Sequence, residues 1–134
     1  MTGILYRPRG DRGAASTQLV LVVPALLLLA LLVVQFALVW HARHIAQYAA
    51  QRALAAARTE HGTQADGQVQ ARHSLAALGG RILTSPSVAV ERTAAQTTAR
   101  VTGTVMAVIP GLTLHASGTA SGPTERLTAV GGRP

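Results

Sequence analysis

Apolar residues are concentrated in one uninterrupted run near the start of the chain. The run covers residues 19–40, contains no charged side chain, and includes one strongly polar residue, Gln35. At about 1.5 Å of rise per residue, a helix of 22 residues reaches roughly 33 Å, enough to cross the roughly 30 Å hydrocarbon layer of a bilayer. The pattern therefore predicts a single transmembrane helix at residues 19–40.

Two other interpretations of this run fit less well. A cleavable secretory signal has an apolar stretch of about 7 to 15 residues with small residues soon after it, whereas the nearest acceptable small-x-small site, Ala53-Leu54-Ala55, lies far beyond Trp40. A buried core helix would need a domain large enough to surround it, and this chain has few large side chains to build one. A permanent membrane anchor is the favoured interpretation.

The basic residues around the span indicate its orientation. Arg7, Arg9 and Arg12 are clustered before it, whereas the arginines after it, beginning with Arg43, are more widely spaced. Basic residues next to a span favour the cytoplasmic side. We therefore expect a cytoplasmic N-terminus and an extracytoplasmic C-terminal part.

Three residues of the span carry further expectations. Pro24 removes one backbone donor, which membrane helices tolerate where a neighbouring helix packs, and Trp40 suits the membrane–water interface. Gln35 could donate a hydrogen bond between helices, or it could lie near the outer interface. Pro24 and Gln35 are therefore candidate helix-packing residues.

The helical pattern continues beyond the span. No Pro or Gly occurs between Trp40 and Gly62, which predicts one long rod. Small apolar residues recur there every three or four positions and form an apolar stripe: Ile45, Ala46, Ala49, Ala53, Ala56 and Ala57. A second helical pattern covers residues 64–83, with Val69, Leu75, Ala76, Leu78 and Ile82 as its apolar positions, and Gly79-Gly80 is a stop signal.

After Pro86 the apolar period changes to two. Alternating residues predict three strands, at about 88–91, 99–107 and 112–119. Pro110-Gly111 is a turn signal between the last two, so we expect an antiparallel meander. The predicted fold class is α+β: a long N-terminal helix, transmembrane in its first half, packed on a small three-stranded antiparallel sheet.

Composition and charge exclude several functions. The chain has no cysteine. Its formal charge of +7 comes from arginines that, beyond the first three, are spread out and not accompanied by stacking aromatics, so nucleic-acid binding is not expected. His41 and His44 have a spacing compatible with metal binding, but no nearby carboxylate completes a ligand set. No Gly-x-Ser-x-Gly elbow or phosphate loop occurs. We expect no enzyme activity, no catalytic or metal-binding residues, no cofactor and no small-molecule substrate.

The order of these features resembles that of the TadE-like proteins, which are pseudopilins of the Tad (Flp) pilus machinery. The resemblance covers residues 9–126. It is carried by Asp11-Arg12-Gly13, the small polar run Ala14-Ala15-Ser16-Thr17 before Gln18, the span with an early proline, and an Ala- and Arg-rich helix followed by a small sheet.

The resemblance implies cleavage by a prepilin peptidase after a glycine on the cytoplasmic side, here between Gly13 and Ala14. It also implies a glutamate at the fifth mature position, and Gln18 stands there instead. A buried glutamate can pair with the free amine of a neighbouring subunit, whereas glutamine can hydrogen-bond but cannot neutralise that amine. Gln18 could equally be an interfacial polar residue at the start of the helix.

The expected organisation has five parts: a cytoplasmic basic leader (1–13), a small and polar helix start (14–18), the transmembrane helix (19–40), an extracytoplasmic TadE-like domain (41–120) and a flexible tail (121–134). The expected function is that of a membrane-anchored pseudopilin-like component of a Tad/Flp-type pilus or related secretion assembly, with membrane lipid and other pilin-like or Tad-machinery proteins as partners. The alternative is a membrane-tethered extracytoplasmic binding module unrelated to pili.

Overall fold

The structure, a computed structural model, describes residues 11–126. Most of the expected leader, and residues 127–134 of the expected tail, lie outside the described residues. The described part consists of two helices and three strands, and it confirms the predicted α+β class. Its elements are α1 (Asp11–Ala57), α2 (Gln64–Leu78), β1 (Leu83–Arg92), β2 (Gln96–Val105) and β3 (Leu114–Pro123).

Helix α1 is a single rod of 47 residues that continues through Pro24. At about 1.5 Å per residue its length is roughly 70 Å. It starts at Asp11, ahead of the helix start expected at residues 14–18. Its two halves have different surroundings, because its large apolar side chains before Gln35 are exposed whereas small residues after it are buried.

Helix α2 packs on α1 through its smallest side chains. Its buried residues are Gly67, Ala71, Ser74 and Leu75. A Cβ on Gly67 would lie 2.9 Å from the Ala53 carbonyl oxygen, so the two backbones are very close there. Val69 and Leu78, predicted for the apolar face of this helix, are exposed. That part of the prediction was wrong because close helix approach selects small residues rather than large ones.

The N-terminus of α2 is closed by a capping box. The Thr63 N–H and hydroxyl both donate to Asp66 Oδ2, at 2.9 and 2.7 Å, and the Asp66 N–H donates to Thr63 Oγ1 at 3.1 Å. These bonds lower the pKa of Asp66 below its ordinary value of 3.8. The hydrogen bond from the Thr63 hydroxyl has the larger effect, and the bond from the Thr63 backbone N–H has the smaller one.

This lowered pKa predicts a pH-dependent contribution to folding. The Asp66 carboxylate stabilises the fold above the ordinary pKa, and this contribution disappears as the pH falls through the lowered pKa of the folded state. The difference in thermal unfolding midpoint between wild type and Asp66→Ala should therefore be largest near neutral pH and shrink in acid. Circular dichroism in detergent measures it, with Glu91→Ala as a control for the loss of one acidic side chain. A difference that is independent of pH would contradict the expectation.

The sheet is the predicted antiparallel meander, with strand order β1-β2-β3. The register places Val90 opposite Ala99, and Val101 opposite Gly118. Strand β3 continues to Pro123, which pairs with Gln96. The chain from Ser121 to Pro123 is therefore strand rather than the start of a flexible tail, because β2 is long enough to pair with it.

Strand β1 begins earlier than predicted, at Leu83, and contains Pro86. A proline lacks the N–H that a central strand needs, but an edge strand tolerates it. Between Thr84 and Ser87 the register shifts in a bulge, and Ser85 adopts a positive φ of 47°. The proline and the bulge together fit the position of β1 at the edge of the sheet.

The core lies between α1 and one face of the sheet. On β2, alternate residues from Thr97 to Val105 are buried and the residues between them face outward. The predicted stripe on α1 supplies the opposite side, and Ala42 and Ala50 are buried too, because α1 is covered by both α2 and the sheet. The buried residues of α1 after Gln35 are Ala42, Ile45, Ala46, Ala49, Ala50, Ala53 and Ala57.

Candidate assembly interface

The N-terminal half of α1 extends away from the folded domain. Among residues 11–126, α1 is the one helix that is long and apolar enough to cross a membrane, and its most apolar stretch is almost entirely uncovered by the rest of the chain. Over residues 19–34 every large apolar side chain but Leu31 has at least two-fifths of its surface exposed. This candidate span is consistent with membrane anchoring, since lipid or apolar helices would cover such a surface.

The residues implied in processing lie at the start of this exposed segment. Gly13, Ala14 and Gln18 are all helical and exposed. The Thr17 hydroxyl donates to the Gly13 carbonyl at 2.9 Å, and Gln18 borders a shallow hollow on α1. The bond between Gly13 and Ala14 lies in the first turn of the helix, where backbone N–H groups lack intrahelical partners and helices fray.

The side chain of Gln35 is hydrogen-bonded to the β2–β3 segment of its own chain. Its side chain is 2% exposed. Its Nε2 donates to the Met106 carbonyl at 3.2 Å, and its Oε1 accepts from the Val108 N–H at 2.8 Å. The amide nitrogen and the amide oxygen therefore each have a partner within the chain, and the helix-packing role of Gln35 stays a prediction. Pro24 is exposed, and its packing role stays a prediction.

A second amide, Gln47, forms a similar clamp that the sequence analysis missed. Its Nε2 donates to the Thr119 carbonyl at 3.0 Å, and its Oε1 accepts from the Thr119 N–H at 3.1 Å. No local pattern could have identified this clamp, because its partner lies 72 residues away. Gln35 binds the β2–β3 loop to α1, and Gln47 binds strand β3 to it.

The Gln47 clamp also affects the edge of the sheet. The N–H and C=O of Thr119 are the backbone groups that an added strand would use on β3, and Gln47 occupies both. The other edge, β1, contains Pro86 and a bulge, two features that discourage strand addition. Within the described residues, the sheet edges are therefore less suited to binding a partner strand than the exposed helix is to binding apolar groups.

His41 and His44, the two histidines with a metal-compatible spacing, follow Trp40 on α1. The ring of His44 lies edge-on to Trp40, with centroids 5.2 Å apart, and His41 is exposed. In the part of the chain that the structure describes, no group of three or more His, Asp or Glu side chains is placed to hold a metal ion.

Comparison with protein families gives one match. The family model described as "TadE-like protein" matches residues 13–55, which correspond to most of α1 from Gly13 onward. No curated protein and no solved structure matches the chain. The matched segment contains the implied cleavage position, the apolar run and the start of the domain, and it associates the chain with Tad pilus assembly. The predicted TadE-like assignment is thus confirmed over residues 13–55, where the chain is similar to TadE-like proteins.

Proposed function

We propose that this chain is a membrane-anchored, pseudopilin-like component of a Tad/Flp-type pilus or a related secretion assembly. It acts without catalysis, through helix packing and protein–protein contacts. Its N-terminus lies in the cytoplasm, and the domain built from the rest of α1, α2 and the sheet lies on the extracytoplasmic side. Its partners are membrane lipid and other pilin-like or Tad-machinery proteins.

The continuity of α1 is the observation that carries this proposal. One unbroken helix contains an apolar half without cover from the chain and a second half that forms the centre of the domain. A rigid connection of this kind fixes the domain relative to the anchor, so helix–helix contacts in the membrane would also position the domains. Small residues at 14–17 allow close approach of a neighbouring helix.

The N-terminal residue of the protein recovered from membranes tests the proposal. Processing at the implied position gives a chain that starts at Ala14, and Gly13→Val should abolish it because a β-branched side chain replaces the glycine before the cut. Gly10→Val changes a nearby glycine in the same way and serves as the matched control. Intact-mass measurement and N-terminal sequencing distinguish the products. An uncut wild-type chain in cells that contain the peptidase would contradict the pseudopilin role.

The alternative of a membrane-tethered binding module has less support. A hollow of about 340 Å³ lies between α2 and β1, lined by residues that include Arg72, Leu75 and Leu83, but it is open and shallow. A secreted fragment without the membrane span would test this alternative. Such a fragment cannot start after α1, at Gly62, because it would then lack the buried α1 residues that form part of the core. The fragment must begin near Gln35. If this fragment, without its membrane span, folds and retains the function of the full-length protein, the tethered binding module is favoured.

A further inference from the structure

The loop between β2 and β3, residues 106–113, lies beside the predicted membrane span. The Gln35 clamp holds Met106 and Val108 against α1. Gln35 precedes Trp40, the expected interfacial residue, by five positions, or about 7.5 Å along a helix. If the span ends at Trp40, the clamped loop lies below the membrane surface.

The length of the apolar run favours a span that ends at Trp40. Residues 19–34 alone would reach only about 24 Å, short of the roughly 30 Å hydrocarbon layer. The following residues, 35–40, include Phe36 and Trp40, each 68% exposed. Both are large apolar side chains that the domain leaves uncovered, at the level where the loop is attached.

The composition of the loop fits a lipid environment. Residues 106–113 are apolar apart from Thr113, and no Asp, Glu or Arg occurs between Arg100 and Glu125. Met106 is exposed, and Ile109 and Leu112 are half-buried. In an arginine-rich chain, such an uncharged segment is distinctive.

Charged groups lie at the opposite end of the domain. Arg58 pairs with Glu125 at 3.6 Å, and the Arg92 guanidinium donates to the Thr59 carbonyl at 3.0 Å, close to Glu60. These contacts surround the C-terminal end of α1, farthest from the span. The β2–β3 loop itself is therefore uncharged, whereas these charged contacts lie at the far end of the domain.

Several backbone groups of the loop have hydrogen-bond partners within the chain. The Met106 N–H donates to the Ile82 carbonyl at 2.9 Å, and the Leu112 N–H donates to the Ile109 carbonyl at 3.2 Å. The Met106 carbonyl and the Val108 N–H are satisfied by Gln35. Such internal partners lower the cost of bringing irregular backbone close to lipid, and Pro110 has no N–H to satisfy.

We propose that residues 106–113 insert into the extracytoplasmic leaflet of the bilayer beside Phe36 and Trp40. This inference rests on the proposed membrane anchoring by α1. The domain then lies in direct contact with the membrane surface, because both α1 and the loop are embedded in the bilayer. The exposed Arg81, next to Ile82, lies where a guanidinium can meet lipid phosphates.

Single-cysteine labelling tests the insertion cleanly, because the natural chain has no cysteine. Ile109→Cys and Leu112→Cys place an environment-sensitive fluorophore in the loop. Leu27→Cys reports on the anchor, and Ala94→Cys, in the exposed β1–β2 turn at the far end, is the matched aqueous control. Each full-length variant is labelled and reconstituted into phosphatidylcholine–phosphatidylglycerol vesicles, with spin-labelled lipid or aqueous iodide as the quencher.

The expected result is that the labels at Leu27 and in the loop lose most of their emission to the lipid quencher and are protected from iodide. The label at Ala94 should show the reverse. If the lipid quenches the label at Leu27 but iodide quenches both loop labels, α1 is anchored and the insertion is wrong. If iodide quenches the label at Leu27 as well, the anchoring and the insertion both fail.

Discussion

Gly118→Val is expected to unfold the domain formed by the second half of α1, α2 and the sheet, because strand β3 crosses α1 with no room for a side chain. A Cβ at Gly118 would overlap the backbone nitrogen of Gln47 and the carbonyl group of Ala46. Backbone atoms of a helix cannot move aside as a flexible side chain can. Overpacking typically costs about 1 to 3 kcal/mol, and we expect the upper end of that range or more. Thermal unfolding in detergent, followed by circular dichroism and protease resistance, measures the loss.

The same strand provides the control for this substitution. A Cβ on Gly122 would lie 3.6 Å from Leu54 Cδ2, an ordinary van der Waals contact. Gly118→Ala should therefore destabilise the domain strongly, whereas Gly122→Ala should change its stability by only about 0.5 kcal/mol, as a surface change does. Equal effects of the two alanines would show that β3 does not approach α1 as closely as the structure indicates.

Gln35→Leu is expected to release the β2–β3 loop from α1. The substitution leaves the Met106 carbonyl and the Val108 N–H without their partner, and an unsatisfied buried polar group costs about 1 to 3 kcal/mol. Hydrogen exchange in purified protein should therefore accelerate at Val108 and its neighbours, with a lower unfolding midpoint for the domain. The effect should appear in the isolated chain, before any partner is added.

Gln47→Leu is the matched control for this second prediction. Gln47 makes the same two types of hydrogen bond to Thr119, but its side chain is less buried, so water can replace the lost amide. A smaller loss of stability is expected, with faster exchange at Thr119 rather than at Val108. If Gln35→Leu leaves exchange at Val108 unchanged and weakens only co-purification with membrane partners, Gln35 acts between helices as the sequence first indicated.

The partner of Gln35 shows how far the sequence could predict the candidate interface. Its isolation in an apolar run correctly marked it as a residue that needs a hydrogen-bond partner. Sequence could not choose between a neighbouring helix and the chain's own loop, because that loop lies 71 residues away. The same limit applies to Gln47, whose polar character is ordinary for a helix surface.

The sequence by itself determined the features that depend on neighbouring residues: the apolar length of α1, the stop at Gly79, the turn at Pro110-Gly111 and the alternation of the strands. These follow from helix and strand periodicity and from local backbone preferences. Tertiary structure alone decided the small-residue face of α2, the closeness of β3 to α1 at Gly118 and the two glutamine clamps. These features depend on which distant segments come into contact and on the distance between their backbones. Local periodicity determines neither the contacting segments nor that distance.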